Sequence, residues 1–147
     1  MEKPEFVYVT YIATTPEKLW NALIDPSMTA LYWQHDNVSD WKPGSRWEHR
    51  ESTKERTLKL VGKVMEWAPP RRLVLTWADP TDAAHEEKHS RVTFEIEQLE
   101  NVVRLTVTHD RLRPGSEMLE GITAGWPKVL SSLKTMLEVG RPLPRLW

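Results

Sequence analysis

Ser90-Arg91-Val92-Thr93-Phe94-Glu95-Ile96-Glu97-Gln98-Leu99 and, after Glu100-Asn101, Val102-Val103-Arg104-Leu105-Thr106-Val107-Thr108-His109 form the stretch on which the fold turns. Both runs alternate. Val92, Phe94 and Ile96 share one face of the first, and Val103, Leu105, Val107 and His109 share one face of the second. Arg91, Thr93, Glu95, Arg104, Thr106 and Thr108 lie opposite, so each strand has a buried face and a wet face, as in an antiparallel sheet. The buried face needs a cover. It follows in the chain, where Met118, Ile122, Trp126, Val129, Leu130, Leu133, Met136 and Leu137 recur at three- and four-residue steps and predict a helix from about Met118 to Glu138. Gly140 followed by Pro142 stops it, while Pro127 beside Gly125 predicts a kink or a looser first turn.

Working outward, Phe6 to Ile12 is β-branched and aromatic and reads as a first strand. Thr14-Thr15-Pro16-Glu17 then starts a short helix, with either threonine able to cap it, and Asp25-Pro26 ends that helix and caps a second running to about Trp33. Further strands are expected at Ser45 to Glu51, Thr57 to Trp67 and Arg72 to Trp77. The expected fold is α+β: a curved antiparallel sheet of about six or seven strands wrapped around a long C-terminal helix, with two short helices after the first strand, in one domain over 1–147.

Composition narrows the function classes. The chain has 147 residues, a formal net charge of −1 and no Lys/Arg-rich block, which argues against nucleic acid as a partner. No stretch has the ~20 apolar residues of a membrane helix. The polar start Met1-Glu2-Lys3-Pro4-Glu5 is unlike a signal peptide, so a cytoplasmic protein without a membrane partner is expected. The absence of cysteine excludes disulfides and thiolate chemistry. Eight tryptophans are the anomaly, and a wide cavity walled by large rings is one way to hold an apolar ligand.

Several motifs together resemble a known family. Thr15-Pro16-Glu17-Lys18-Leu19-Trp20, Asp25-Pro26 leading to Trp33, and Pro43-Gly44 come first, followed by Gly62-Lys63-Val64. Pro69-Pro70-Arg71-Arg72-Leu73 leads to Thr76-Trp77, then come Thr108-His109 and Gly125-Trp126-Pro127 leading to Leu137-Glu138-Val139-Gly140. In this order they resemble homologues of the activator of the heat-shock protein 90 ATPase, a branch of the START-like helix-grip superfamily. The resemblance implies a cavity between sheet and long helix, with diverse functions that include apolar ligand binding and, in relatives, cyclase-like chemistry. Co-chaperone activity in that family belongs to larger proteins with an additional N-terminal domain, which this sequence lacks, so a chaperone partner is not expected.

Candidate site residues follow from the faces. His109 falls on the inner face at a strand end, where it is a satisfied core histidine, a polar anchor for a ligand or a general base. Trp47 and His49 share one face of their strand and Trp77 lies on the inner face of the next, while Phe94, Ile122 and Trp126 add apolar area. Trp33 and Trp41 flank a segment containing His35 and Asp36 and could form a mouth. The expected ligand-binding set is thus Trp33, Trp47, His49, Trp77, Phe94, His109, Ile122 and Trp126, with no catalytic residue and no cofactor assigned. Arg71, Arg72, Arg111 and Arg113 sit at turns and are expected to be solvated, although an arginine near the mouth could receive a ligand carboxylate.

His85-Glu86-Glu87-Lys88-His89 matches H-E-x-x-H, yet it lacks the apolar face of a stable helix and an obvious third ligand, so no metal is expected there. The leading function is binding of a small apolar or aromatic molecule. The alternatives are a cyclase- or hydrolase-like enzyme using a pocket histidine and a chaperone-associated interaction domain. A homodimer remains open.

Overall fold

A computed structural model describes residues 3–147. The elements run β1 (Phe6–Ile12), α1 (Pro16–Ile24), α2 (Pro26–Tyr32), β2 (His35–Val38), β3 (Arg46–Glu51), β4 (Leu58–Ala68), β5 (Arg72–Trp77), β6 (Ser90–Gln98), β7 (Val103–Asp110) and α3 (Glu117–Val139). Seven antiparallel strands form a sheet in the order β1-β7-β6-β5-β4-β3-β2. This is the expected α+β helix-grip architecture. Among the described residues no helix is long and apolar enough to cross a membrane.

The β6–β7 hairpin has the register the alternation requires, with Val92 opposite His109, Phe94 opposite Val107 and Ile96 opposite Leu105. All six are buried, and the sheet face they form is covered by Ile122, Trp126, Val129, Leu130 and Leu133 of α3. On the outer face Arg91 pairs with Asp110, so Asp110 points away from the core and leaves His109 alone on the inside. The helix caps are as local chemistry demands. Thr15, not Thr14, caps α1 by accepting from Lys18 N–H, and Asp25 caps α2 through Ser27 N–H. Ser116 caps α3, and Gly140, at φ 93°, closes it in the left-handed conformation. The helix continues through Pro127, because buried residues on both sides of it, Trp126 and Val129, hold that segment against the sheet. Its far end is tied to β1, where Glu138 accepts from Ala13 N–H and Lys134 donates to the Tyr11 carbonyl.

β2 is the element that sequence periodicity misses. It is four residues long, and three in a row, His35, Asp36 and Asn37, are buried although polar. Alternation therefore cannot reveal it. The strand follows α2 through Gln34 at φ 64°, which reverses the chain within one residue. Asp36 is balanced by an ion pair with Arg56 and a hydrogen bond from Ser52 (2.7 Å).

Gly62 on β4 is what lets three strands share one side chain. It pairs with Trp47 on β3, whose indole lies over it and donates Nε1–H to the Thr76 carbonyl on β5 at 2.7 Å. A Cβ at position 62 would sit 1.9 Å from that carbonyl oxygen and 2.5 Å from the indole nitrogen. Gly62→Ala must therefore break the bridge or push strands apart. Overpacking and a buried unpaired group cost roughly 1–3 kcal/mol each, so urea denaturation is expected to show a loss of about 3 kcal/mol or more. Gly121→Ala, whose added Cβ meets nothing within 4 Å, is the control. A Gly62→Ala protein as stable as that control would disprove the bridge.

Candidate functional site

Between α3 and the strand ends of β3, β4 and β5 lies a cleft of about 900 Å³. Its floor is aromatic, and Trp77 is the centre of it. That ring contacts Trp33 (6.5 Å between ring centres, 17° between planes), Trp47 (5.0 Å), His49 (5.9 Å), Trp126 (5.4 Å) and His109 (5.7 Å). Trp33 reaches the group from the end of α2, Trp126 from mid-α3, and Phe94 meets Trp126 edge-on at 5.8 Å. Of the expected set, Trp33, His49, Trp77, Ile122 and Trp126 line the cleft. Trp47, Phe94 and His109 are buried in the layer behind that lining.

Two hydrogen-bonded relays fix the polar groups of this region. In the first, the Trp126 indole donates to His109 Nδ1 (3.1 Å), so the proton of His109 is on Nε2 and is given to Ser90 Oγ (2.7 Å), whose hydroxyl donates to the Trp77 carbonyl (3.0 Å). Both nitrogens of His109 are thus occupied inside the protein. It works as a strut between helix, β6 and β5, and offers nothing directly to a molecule in the cleft.

In the second relay the Leu23 carbonyl accepts from Asn37 Nδ2 (3.0 Å), which orients the amide so that Asn37 Oδ1 accepts from His49 Nδ1–H (2.8 Å). His49 Nε2 is left as a free lone pair on a residue that lines the cleft. His35, stacked on His49 with ring centres 4.8 Å apart, donates its own Nδ1–H to the Trp33 carbonyl (3.0 Å). Burial holds all three histidines in the neutral form: it lowers His35, lowers His49 further with help from neighbouring His35, and brings His109 down to about 4. One polar atom of the floor lacks any partner. The Trp77 Nε1–H is buried and unbonded.

The rim differs from the floor. Lys59, Lys88, Arg111 and Arg113 meet Asp79, Asp82 and Glu117 around the mouth. Lys88 pairs with Asp82, while the carboxylate beside Arg111, Asp110, is taken by Arg91. Arg111 holds a left-handed backbone (φ 60°). Arg71 and Arg72 do not line the cleft, and Arg72 pairs with Glu66 and Glu95. Trp41, one of two residues that could form a mouth, stacks on Trp67 (5.5 Å), which meets Trp20 edge-on (5.0 Å) in a second aromatic cluster. In the H-E-x-x-H segment, Glu86–Lys88 forms a single 3-10 turn. His85 is exposed, and His89 is buried with Nε2–H given to the Asp82 carbonyl (2.9 Å) and Nδ1 facing Thr76 Oγ1 (3.3 Å). The two histidines share no helix face, and the described residues contain no group of three or more metal-binding side chains. Sequence reasoning missed Asn37 and Ser90, whose roles arise only from cross-strand pairing.

The model of one protein family, the Activator of Hsp90 ATPase homolog 1-like protein, matches residues 13–138. No curated protein matches the sequence. Among solved structures, the Aha1 dimer from Colwellia psychrerythraea superposes with a TM-score of 0.77 at 21% identity, over 93% of this chain and 98% of that one. Protein MLL2253 from Mesorhizobium loti gives 0.74 at 24%, over 91% and 96%. PFC0360w, an HSP90 activator from Plasmodium falciparum, gives 0.72 at 23%, over 90% and 95%. At these identities the likeness is one of fold.

A histidine neutral in the folded protein but protonated near pH 6.5 when unfolded binds fewer protons folded than unfolded. Its contribution is complete above about pH 6.5 and is lost as pH falls towards the folded value. For His109, with its folded value about 4, the whole effect is roughly 3 kcal/mol, about 2 of it between pH 7 and 5. Urea midpoints are expected to drop over that interval, and His109→Gln should show a shallower drop. A midpoint unchanged from pH 7 to 5 would contradict a buried neutral histidine.

Proposed function

The chain belongs to the Activator of Hsp90 ATPase homolog 1-like family, and from that premise we propose that it binds a small, largely apolar aromatic molecule in the cleft between sheet and long helix. The observation that carries this reading is the floor itself, where Trp33, Trp77 and Trp126 meet around an open volume of about 900 Å³. A drug-sized molecule fits that volume. Flat rings offer it stacked and edge-on contacts worth ~0.5–1.5 kcal/mol each beyond area burial. Removing about 200 Å² of its apolar surface from water contributes ~5 kcal/mol more, before the cost of association.

The wall formed by α3 supports the same reading. Met118, Gly121, Ile122, Gly125 and Val129 face the cleft at helical spacing, and two of the five have no side chain. A Cβ added at Gly121 or Gly125 meets nothing within 4 Å. The glycines leave space where leucines would fill it, although glycine inside a helix costs ~0.5–1 kcal/mol relative to alanine.

Gly125→Leu should therefore obstruct the cleft without damaging the fold. With an environment-sensitive naphthalene dye as probe, the wild-type protein is expected to bind saturably and to change its tryptophan emission. Gly125→Leu should weaken binding at least tenfold while its thermal midpoint stays level or rises. Undiminished binding by the variant would place the probe elsewhere, and no binding by the wild type would remove the proposed function.

A further inference from the structure

β1 is a terminal strand of the sheet, paired on one side only. Ladder parity tells which of its groups face the open side. Ile96 N–H bonds to the Arg71 carbonyl, so even residues of β6 turn their backbone groups to β5 and odd ones turn theirs to β7. Carried through the β6–β7 and β1–β7 registers, this turns the even residues of β1 to β7 and leaves Val7, Val9 and Tyr11 facing the free edge. Two contacts from α3 agree: Lys134 donates to the Tyr11 carbonyl, and Ala13 N–H donates to Glu138. The helix thus covers the edge at 11–13. No group among the described residues bonds the N–H or C=O of Val7 or Val9 there.

Edge strands are ordinarily blunted by a charge, a proline or a bulge. β1 has none of these over Phe6–Ile12, and its seven residues run in unbroken register with β7. On the outer face Val7, Val9 and Tyr11 are 50%, 46% and 49% exposed. The edge is also self-complementary. An antiparallel second copy related by a two-fold axis at Tyr8 sets Val7 opposite the second copy's Val9, and Val9 opposite its Val7. Opposed residues of this kind exchange both N–H···O bonds, so every open group is used and none that α3 already holds. An axis at Val9 would need the Tyr11 carbonyl, which Lys134 occupies.

Charge favours the same axis. It brings position 5 of the second copy opposite Tyr11 and position 3 opposite Ala13. Lys134 then faces the second copy's Glu5, and Glu138 faces its Lys3, each pair occurring twice by symmetry. We propose that two copies of this chain pair through β1, antiparallel about Tyr8, joining two seven-stranded sheets into one. No residue of β1 lines the cleft, so the inference is independent of the binding reading.

Val9→Pro tests it, because proline lacks the N–H that the free edge presents and leaves the β7 ladder intact. Sedimentation equilibrium at micromolar concentration is expected to show a dimer for the wild type. Val9→Pro should raise the dissociation constant at least tenfold while unfolding stays cooperative. Glu5→Lys should also weaken the dimer, more at low salt than at high. Because Val9→Pro can fail to fold, a second measurement uses the wild type alone: hydrogen exchange at the Val7 and Val9 amides should slow as protein concentration rises. A monomeric wild type, a folded Val9→Pro that dimerises undiminished, or a dimer whose Val7 and Val9 amides exchange as fast as the monomer's would overturn the proposal. So would an unlike extended peptide that protects those amides in a protein otherwise monomeric, which would assign the edge to a different partner.

Discussion

The indole of Trp47 crosses β4 to reach the Thr76 carbonyl, and Gly62 is the residue that makes room for it. Much of the site depends on that contact. A tryptophan spanning its neighbour strand locks β3, β4 and β5 together where pairing is irregular, between the register shift at His49/Arg50 and the one at Val64/Glu66. With β5 held there, the next residue, Trp77, presents its ring inward at the strand end. Its neighbours in space then fall into place from four other elements: Trp33 from α2, His49 from β3, His109 from β7 and Trp126 from α3. Burial of so many rings supplies a large apolar term. It would be undermined if the polar atoms among them lacked partners.

The two relays meet that requirement in different ways. Around His109 every donor finds an acceptor: indole to imidazole, imidazole to hydroxyl, hydroxyl to carbonyl. A closed chain of this kind stiffens the core, because removing any member strands another in a low-dielectric setting. Around His49 the chain is open. It begins at a backbone carbonyl and ends at a lone pair on the cleft wall. The same residue type thus performs structural work in one strand and faces the cleft in another, and neighbouring side chains decide which.

Regular periodicity made most of the fold legible. The β6–β7 hairpin, the α3 stripe and the capped α1 and α2 appear in the sequence because each buries one face and wets the other. β2 was not legible, since three consecutive polar residues are buried in it, Asp36 and Asn37 through partners more than ten residues away along the chain. The site was legible in outline. Parity placed His49, Trp77 and His109 on inner faces, and helical spacing did so for Ile122 and Trp126. Parity cannot distinguish a ring at the cleft surface from one in the layer behind it, which is why Trp47, Phe94 and His109 belong with the support rather than the lining. Nor does spacing show what a histidine does with its second nitrogen. That follows only from Asn37 and Ser90, which reach their histidines across paired strands.

Two features around the cleft cost the fold stability. Glycine inside a helix costs ~0.5–1 kcal/mol relative to alanine, and an unpaired buried donor such as the Trp77 indole costs ~1–3 kcal/mol. The glycines lie on α3 and the indole on β5, so the two costs fall on different sides of the cleft. Anything that binds only the folded state stabilises it in proportion to the logarithm of its concentration over its dissociation constant. The His109 relay lies outside this exchange, since its partners are complete whether or not the cleft is filled. The closed relay holds the sheet to the helix, while the open relay on β3 and the glycines of α3 border the cleft from its two sides. A protein whose only task was to fold would gain by leucine at position 125 and by a partner for Trp77. This one has neither, and carries both costs in its folded form.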